Sequence, residues 1–538
     1  MLDDCVPWPE DVADGYRARG IWRGETLGDL LRRWAAEYRD RTALIDAAGD
    51  RLSYSALDGW SDRLAAGFQA KGIAPGDRVL VQLPNRPEFV AVCFALFRLG
   101  AVPVFALPSF RSNEIGHLAR LSGAQTYVIP DEFNGFDHRV LARDALKECP
   151  ELERIVVAGD PGEFTALADV EAEPADLPGP QASDIAFFLL SGGTTALPKL
   201  IPRTHEGYAH QLEVTSEVCA TTGDSVYLAV LPIEFNFPWG CPGVLGTLSR
   251  GGTAVFAETA HPETCFALVE RHRVTITSIV PTIVHLWLSA VSDTRHDLSS
   301  LKLVQVSSAK LHPELASRIE PAFGAQLQQV YGMSEGMLTF TRLDDPPETV
   351  LETQGRPLSP ADEIRVVDSA GREVPQGEVG ELLARGPYTL RGYYRAREHN
   401  RIAFTADGFY RSGDLVRLTE RGDVVVEGRI KDIISRGGNK ISAPEVEEHL
   451  TAHPGVEQAA VVPAPDEILG ERVHAYVVPA SGSPAPRLPE LRRLLRSRGL
   501  ADHKLPDQVE AVDSLPMTGL NKVDKKVLIA RVSDQRTG

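Results

Sequence analysis

The chain has 538 residues, of which 43% are hydrophobic and 24% charged, and its formal net charge is −18. That length suggests three or four core-forming units rather than one domain, and the acid excess argues against non-specific binding to the phosphate backbone of nucleic acids. The six scattered cysteines (Cys5, Cys93, Cys149, Cys219, Cys241, Cys265) form no Cys-x-x-Cys, so neither a disulfide framework nor a zinc site is indicated.

The start, Met1-Leu2-Asp3-Asp4, is acidic and lacks the positive region of a secretory signal. No stretch approaches the roughly 18 uncharged apolar residues of a membrane span, so a reduced, cytoplasmic setting is expected. Thr42 to Asp46 and Arg51 to Tyr54 flank Ala-Ala-Gly-Asp and predict a β-hairpin. Ser55 to Lys71 carries apolar residues at helical spacing, with Ser55 as the predicted N-cap. The run Arg78 to Leu83 predicts a buried strand, Pro87 to Leu99 a helix closed by Gly100, and Val102 to Phe105 the next strand. Strand, helix, strand in this rhythm is a βαβ unit of a parallel sheet. Further strands are predicted at 126–129, 154–157, 186–190, 225–230, 252–256, 277–280 and 301–306, and residues 159–184 form an acidic, Pro-rich surface connection. From about 350 to 430 frequent glycine turns mark a β-rich subdomain. Beyond it a capped helix (Ser442 to Leu450), strands 458–463 and 473–479 and a helix Leu488 to Arg498 form a small α+β unit. The predicted fold class is therefore α/β. An N-terminal region of residues 1–430 is built of parallel α/β subdomains and a β-rich subdomain, and residues 431–538 form a C-terminal domain.

Five segments carry candidate chemistry. Ser191-Gly192-Gly193-Thr194-Thr195-Ala196-Leu197-Pro198-Lys199 follows an apolar strand. Its glycines let the backbone approach an anion, its hydroxyls can bond to phosphate, and its lysine adds charge. It is not the common phosphate loop, since Pro198 stands at the second glycine and Leu200 at the hydroxyl position. Taken alone it also reads as an ordinary turn. Gln329-Val330-Tyr331-Gly332-Met333-Ser334-Glu335 ends in a carboxylate suited either to Mg²⁺ or to a helix start. Asp414, at the end of Gly408-Phe409-Tyr410-Arg411-Ser412-Gly413-Asp414, can accept two ribose hydroxyls or simply close a turn. The charged stretch Gly428 to Ile441 reads as a linker between domains. Lys522, on the turn Thr518-Gly519-Leu520-Asn521-Lys522, would ordinarily be a solvated charge.

Together, in this order and at these separations, the segments resemble the acyl-adenylate-forming ligase superfamily, and the resemblance covers nearly the whole chain. Leu200 to His205, Tyr331 to Gly336, Thr341 to Asp345, Thr353-Gln354-Gly355, Arg385 to Thr389 and Arg391 to Tyr394 look like its stand-alone aryl-acid branch, typified by 2,3-dihydroxybenzoate–AMP ligase and salicylate–AMP ligase. The resemblance implies a ligase using ATP and Mg²⁺ that converts an aromatic acid to acyl-AMP and then loads a thiol, in non-ribosomal peptide or siderophore biosynthesis. It implies that Ser191, Gly192, Gly193, Thr194, Thr195 and Lys199 hold the β- and γ-phosphates. Ser308, Ala309, Lys310, Tyr331, Gly332, Met333 and Ser334 would surround the nucleotide, and Asp414 with Arg429 the ribose. Glu335 and Thr195 would serve Mg²⁺. Lys522 would be the adenylation lysine, set between two anions whose repulsion it offsets. The small domain would turn about Lys431, exchanging Lys522 for Lys440 between half-reactions.

The acid pocket departs from that branch. In Leu231-Pro232-Ile233-Glu234-Phe235-Asn236-Phe237-Pro238-Trp239-Gly240-Cys241, Asn236 matches an asparagine that contacts the ortho substituent, while Phe235 replaces a histidine and Gly240 a serine. Ser307-Ser308 replaces a Gly-Gly pair and Leu338 a common valine. The expectation is extra room near Gly240, added apolar surface at Phe235 and Trp239, and a substituted, amino-bearing or bicyclic aryl acid. The alternatives are a plain 2,3-dihydroxybenzoate or salicylate ligase, and an aryl-CoA ligase. A separate phosphopantetheine carrier protein, or coenzyme A, would supply the thiol; nucleic acid and membrane are not expected partners.

Overall fold

The computed structural model describes residues 2–191, 198–436, 439–466, 469–498, 500, 502–518 and 522–534. Contacts divide the described residues into two units, one within 2–191, 198–363 and 384–410, the other within 364–383 and 411–534.

The first unit is built on two sheets. In the nine-stranded sheet the order is Arg356–Pro357, Gly336–Phe340, Gln326–Met333, Leu303–Val306, Ile276–Ile279, Val226–Ala229, Thr253–Phe256, Thr42–Ile45, Arg51–Ser53. From Gln326–Met333 to Thr42–Ile45 every pairing is parallel, and both edges are antiparallel. The seven-stranded sheet runs Leu200–Thr204, Ile185–Leu190, Val102–Phe105, Arg78–Val81, Thr126–Pro130, Arg154–Ala158, Thr165–Ala166 and is parallel except at its first pair. Parallel strands covered on both faces read as unbroken apolar runs, which is why nearly all of them are visible in the sequence.

The helix Pro87–Leu99 starts on proline and stops where Gly100 turns left-handed at φ +76°. Its residues from Phe89 to Leu99 are all buried, so it is apolar on every side. Arg98 is the exception, and it is paired: it donates to Asp62 Oδ1 at 2.7 Å, to the Asp58 carbonyl at 2.8 Å and to the Asp58 carboxylate. Those carboxylates belong to the helix Tyr54–Ala70. Its N-cap is Ser53, not Ser55 as the sequence suggested; the Ser53 hydroxyl accepts from Ala56 N–H at 3.1 Å. Tyr54 is drawn into the first turn because its hydroxyl reaches the carbonyls of Gly252 (2.6 Å) and Leu248 (3.1 Å).

The second unit holds most of a four-stranded sheet, Glu363–Val367, Gly380–Arg385, Tyr410–Leu418, Val424–Arg429, and a five-stranded one. In the latter Val456–Asp466 and Gly470–Pro479 form a long antiparallel pair, longer than the sequence marked, and Gln508–Ala511 adds in parallel. Helices Ala443–Thr451, Leu488–Ser497 and Lys525–Asp534 complete it. Ser442 precedes the first of these without capping it; its hydroxyl donates to the Glu427 carbonyl at 3.1 Å instead. Among the described residues no helix is long and apolar enough to cross a membrane.

Candidate active site

The parallel strands of the nine-stranded sheet end on the same side, and the carboxyl edge of such a sheet is where ligands bind. Three candidate segments leave that edge. Residues 235–240 follow the strand Val226–Ala229, Ser307 to Lys310 follow Leu303–Val306, and Tyr331 to Glu335 close Gln326–Met333.

Glu335 lies at the tip of the turn joining Gln326–Met333 to the antiparallel Gly336–Phe340, so it starts no helix. Gly336 has φ +146°, and a β-carbon there would strike the Thr389 backbone, so only glycine fits. The backbone of this turn is clamped, with Leu390 N–H on the Glu335 carbonyl at 2.7 Å and Met337 N–H on Thr389 Oγ1 at 3.2 Å. The Glu335 side chain is buried and accepts from the Tyr393 hydroxyl at 2.7 Å, which in turn lies 2.9 Å from the Tyr410 hydroxyl. Burial, then the Glu335 charge, push the Tyr393 phenol well above its ordinary range, so it stays a donor. Lys199 Nζ sits 5.5 Å from the centre of the Tyr393 ring. Ser191 and Lys199 close the base of the glycine-rich loop, exchanging Ser191 N–H to Lys199 carbonyl and Lys199 N–H to Ser191 Oγ, each at 3.0 Å. Gly192, Gly193, Thr194 and Thr195 lie outside the described residues.

A second arm of the site is a chain of buried polar groups. Arg203, on the edge strand Leu200–Thr204, is 2% exposed. Its guanidinium donates to the Ser334 carbonyl at 2.8 Å and to Gln211 Oε1 at 2.6 Å. Gln211 Nε2 then donates to Asn236 Oδ1 and to the Gly240 carbonyl, both at 3.0 Å, and the Tyr208 hydroxyl donates to the same Asn236 oxygen at 3.0 Å. The chain thus ties the turn beside Glu335 to the helix Asn236–Gly240.

The expected room at Gly240 is not there, because a β-carbon on Gly240 would collide with the Tyr208 hydroxyl. Nor does Trp239 face a pocket. Its ring is fully buried, edge-on to Phe89 and Phe105 at 5.3 and 5.8 Å. Phe235 caps the short helix and is half-buried. Ser307 is buried, Ala309 and Lys310 are exposed, and Ser308 adopts φ +74°, a conformation natural to glycine but strained for serine. Leu338 pairs with Gly332 in register and covers it; a β-carbon on Gly332 would meet the leucine side chain. Beside Asn236, Glu234 is buried with both carboxylate oxygens unpartnered among the described residues, and burial pushes its carboxyl well above the usual range.

The remaining candidates belong to the second unit. Asp414 and Arg429 face each other in register across two antiparallel strands, and their ion pair is 2.6 Å long. Asp414 N–H is taken by Ser412 Oγ at 3.0 Å. Lys431 lies in the short helical turn Ile430–Asp432, and Lys440 in the strand Asn439–Ser442, opposite Ser435. Lys522 is half-buried, held by Thr518 N–H on its carbonyl at 2.7 Å and by its own N–H on Thr518 Oγ1 at 3.3 Å.

Sequence reasoning assigned no role to Arg203, Tyr208, Gln211, Tyr393 or Tyr410. Arg203, Tyr393 and Tyr410 did lie in segments that carried the family resemblance, and an arginine inside an apolar strand was the one signal available for the buried chain.

Residues 31–394 match the AMP-binding enzyme family, and residues 445–522 its C-terminal domain. The chain is 53% identical to the 2,3-dihydroxybenzoate-AMP ligase of Bacillus subtilis, over 99% of both chains. It is 48% identical to the salicyl-AMP ligase / salicyl-S-ArCP synthetase of Mycobacterium tuberculosis, over 99% of this chain and 95% of the relative. The apo structure of MbtA from Mycobacterium smegmatis superposes with a TM-score of 0.77 at 46% identity, covering 98% of this chain and 99% of that one. Its carboxyl-edge site, both matched domains and full-length relatedness mean that the chain belongs to the AMP-binding enzymes, in the branch of the aryl acid–AMP ligases.

Proposed function

We propose that this protein activates an aromatic carboxylic acid with ATP and passes it to the phosphopantetheine thiol of a separate carrier protein. A carboxylate oxygen attacks the α-phosphorus, the bond to the β-phosphate oxygen breaks, and pyrophosphate leaves. The thiol sulfur then attacks the acyl carbon, the acyl–oxygen bond breaks, AMP departs, and the thiol proton passes to solvent. The observation that supports this reading best is the buried chain from the Ser334 carbonyl, next to Glu335, through Arg203 and Gln211 to Asn236, which ties the turn carrying the candidate metal carboxylate to the candidate acid-binding segment.

Around the nucleotide, Ser191 and Lys199, with Gly192 to Thr195, take the β- and γ-phosphates. Ser308 to Lys310 and Tyr331 to Ser334 frame the base, and Asp414 with Arg429 binds the ribose. The buried Glu335 carboxylate, held by the Tyr393 hydroxyl, would supply one donor of an oxygen set that, with a hydroxyl such as that of Thr195 and waters, suits Mg²⁺. Mg²⁺ would neutralise phosphate charge there. Lys522 offsets the repulsion between carboxylate and α-phosphate, and Lys440 serves the thiol step after rotation about Lys431. Phe235, apolar where the branch has histidine, favours an acid with a substituent or second ring on that side. The M. tuberculosis relative's name, salicyl-S-ArCP synthetase, supports a carrier as acceptor.

Pyrophosphate exchange across a panel of aromatic acids, followed by loading assays with carrier protein and coenzyme A, tests the reading. Exchange with aromatic acids and loading of the carrier are expected, and exchange only with aliphatic acids would refute it. Faster acylation of coenzyme A would overturn the acceptor. Clear preference for 2,3-dihydroxybenzoate or salicylate over all others would refute the altered pocket. Lys522→Ala should abolish most exchange while thiolation from supplied acyl-AMP persists; equal loss in both would remove its assigned role.

A further inference from the structure

The acid pocket contains an amide whose orientation is dictated from a distance. Oxygen and nitrogen of an asparagine or glutamine look alike in shape, so their assignment must come from the hydrogen-bond network. Here the network has unambiguous ends. A guanidinium can only donate, so Arg203 must face the oxygen of Gln211. The Gly240 carbonyl can only accept, so it must face the Gln211 nitrogen. Both ends agree, and Gln211 therefore presents N–H to its third neighbour, Asn236 Oδ1. The Tyr208 hydroxyl donates to the same oxygen. Asn236 Oδ1 thus has two donors and is saturated. Its Nδ2 has no partner among the described residues and, unlike the carboxyl of Glu234 next to it, is not sealed from solvent.

We propose that Gln211 is a positioning residue that sets the polarity of the acid pocket: by pinning the Asn236 oxygen it turns the Asn236 N–H₂ toward the substrate, so the preferred aromatic acid carries a hydrogen-bond acceptor on its ring. The inference rests on the aryl-acid reading above and narrows it. A ring nitrogen, an ether or a hydroxyl oxygen can meet the amide. An amino group meets it donor to donor, which leaves buried polar groups unpaired. Of the substituted, amino-bearing and bicyclic acids that the sequence suggests, the amino-bearing ones are therefore disfavoured where the amino group faces Asn236. Gln211 touches no substrate; it acts through Asn236.

The test compares shape-matched acids by pyrophosphate exchange: pyridine-2- and pyridine-3-carboxylate as acceptors, 2- and 3-aminobenzoate as donors, quinoline-2-carboxylate as a larger acceptor, and benzoate as the neutral reference. For the wild type, the best acceptor acid should exceed its amino counterpart by about tenfold in kcat/KM. Gln211→Glu keeps the shape and the pairing to Arg203 but replaces the donor by an acceptor. Asn236 should then turn its N–H₂ to residue 211 and its oxygen to the substrate, and the preference should reverse. Gln211→Met, which removes both polar atoms, should bring the acceptor-to-donor ratio close to one, and it carries the test if the glutamate variant unfolds. A wild type that prefers the amino acids overturns the proposal. So do variants that slow every acid, benzoate included, by one common factor, because that is loss of structure and not of polarity. If no aromatic acid supports exchange by the wild type, the aryl-acid reading fails and the proposal falls with it.

Discussion

His205 should make this protein acid-labile through one identifiable hydrogen bond. The residue opens the helix His205–Val218, is 1% exposed, and its Nδ1 accepts from Leu27 N–H at 3.2 Å. Leu27 in turn opens the helix Leu27–Tyr38, so the imidazole satisfies one of that helix's otherwise unpaired first N–H groups. Protonation would remove the acceptor and set a buried positive charge at the start of two helices, where the peptide dipoles oppose it. Burial lowers the His205 pKa from 6.5 to about 4, with Asp184 and Asp29 offsetting only part of the shift. The unfolded chain therefore binds the proton first as pH falls. Stability is complete above the unfolded value and lost between about pH 6.5 and 4, amounting to about 2 kcal/mol at pH 5 and about 3 kcal/mol in full. His210, also lowered to about 4 by burial, acts in the same direction. Asp362, raised to about 7, and Glu234, raised well above 4.5, act in the opposite one, since they hold protons in the fold that the unfolded chain has released. The wild-type curve sums these opposing groups, so the informative quantity is a difference. His205→Asn places an amide oxygen near Nδ1 and cannot titrate. In urea unfolding from pH 7.5 to 4.5, the gap between variant and wild type should close, or reverse in the variant's favour, by about 2 kcal/mol on going to pH 5. A gap independent of pH would refute the assignment.

Three further substitutions probe the site. Tyr393→Phe removes the donor to the Glu335 carboxylate; we expect adenylation to fall about tenfold, with a higher Mg²⁺ requirement, and stability to drop by about 1–3 kcal/mol, whereas unchanged Mg²⁺ dependence in initial-rate assays would separate the tyrosine from the metal carboxylate. Gly240→Ser should displace the Tyr208 hydroxyl and cost about 1–3 kcal/mol by thermal unfolding; adding Tyr208→Phe should recover part of that loss, and no recovery would mean the clash lies elsewhere. Ser308→Gly relieves the left-handed backbone at φ +74° and should stabilise the protein by about 0.5–1 kcal/mol, read as a rise in Tm; a fall would show that the serine makes contacts worth more than the strain.

Much of the fold is legible in the sequence because parallel strands buried on both faces are continuous apolar runs, as at Arg78 to Leu83 and Leu301 to Val306. The helix Pro87–Leu99 is equally plain, bounded by a proline and a left-handed glycine. The cap at Ser53 lies two residues before the expected one, since capping depends on where the chain turns, and that is set here by Tyr54 reaching across to Gly252. In the candidate site, Glu335 and Asp414 are proposed from the order of motifs. Gln211 and Arg203 are not, because what they do depends on groups 131 residues from Arg203 and 25 and 29 residues from Gln211. A substitution such as serine to Gly240 reads in sequence as space; only the fold reveals that a tyrosine from a neighbouring helix has taken it.

The carboxyl of Glu234, without a partner among the described residues, has a calorimetric consequence. Burial favours its neutral form, so above the ordinary carboxylate range the fold holds a proton that the unfolded chain has given up. Unfolding in the range where the fold still holds that proton hands it to the buffer, and the heat recorded includes the buffer's own heat of protonation. Scans in phosphate and in an amine buffer at the same pH will report different unfolding enthalpies for the same molecule, and their difference gives the net protons released, to which Asp362 adds and from which His205 and His210 subtract.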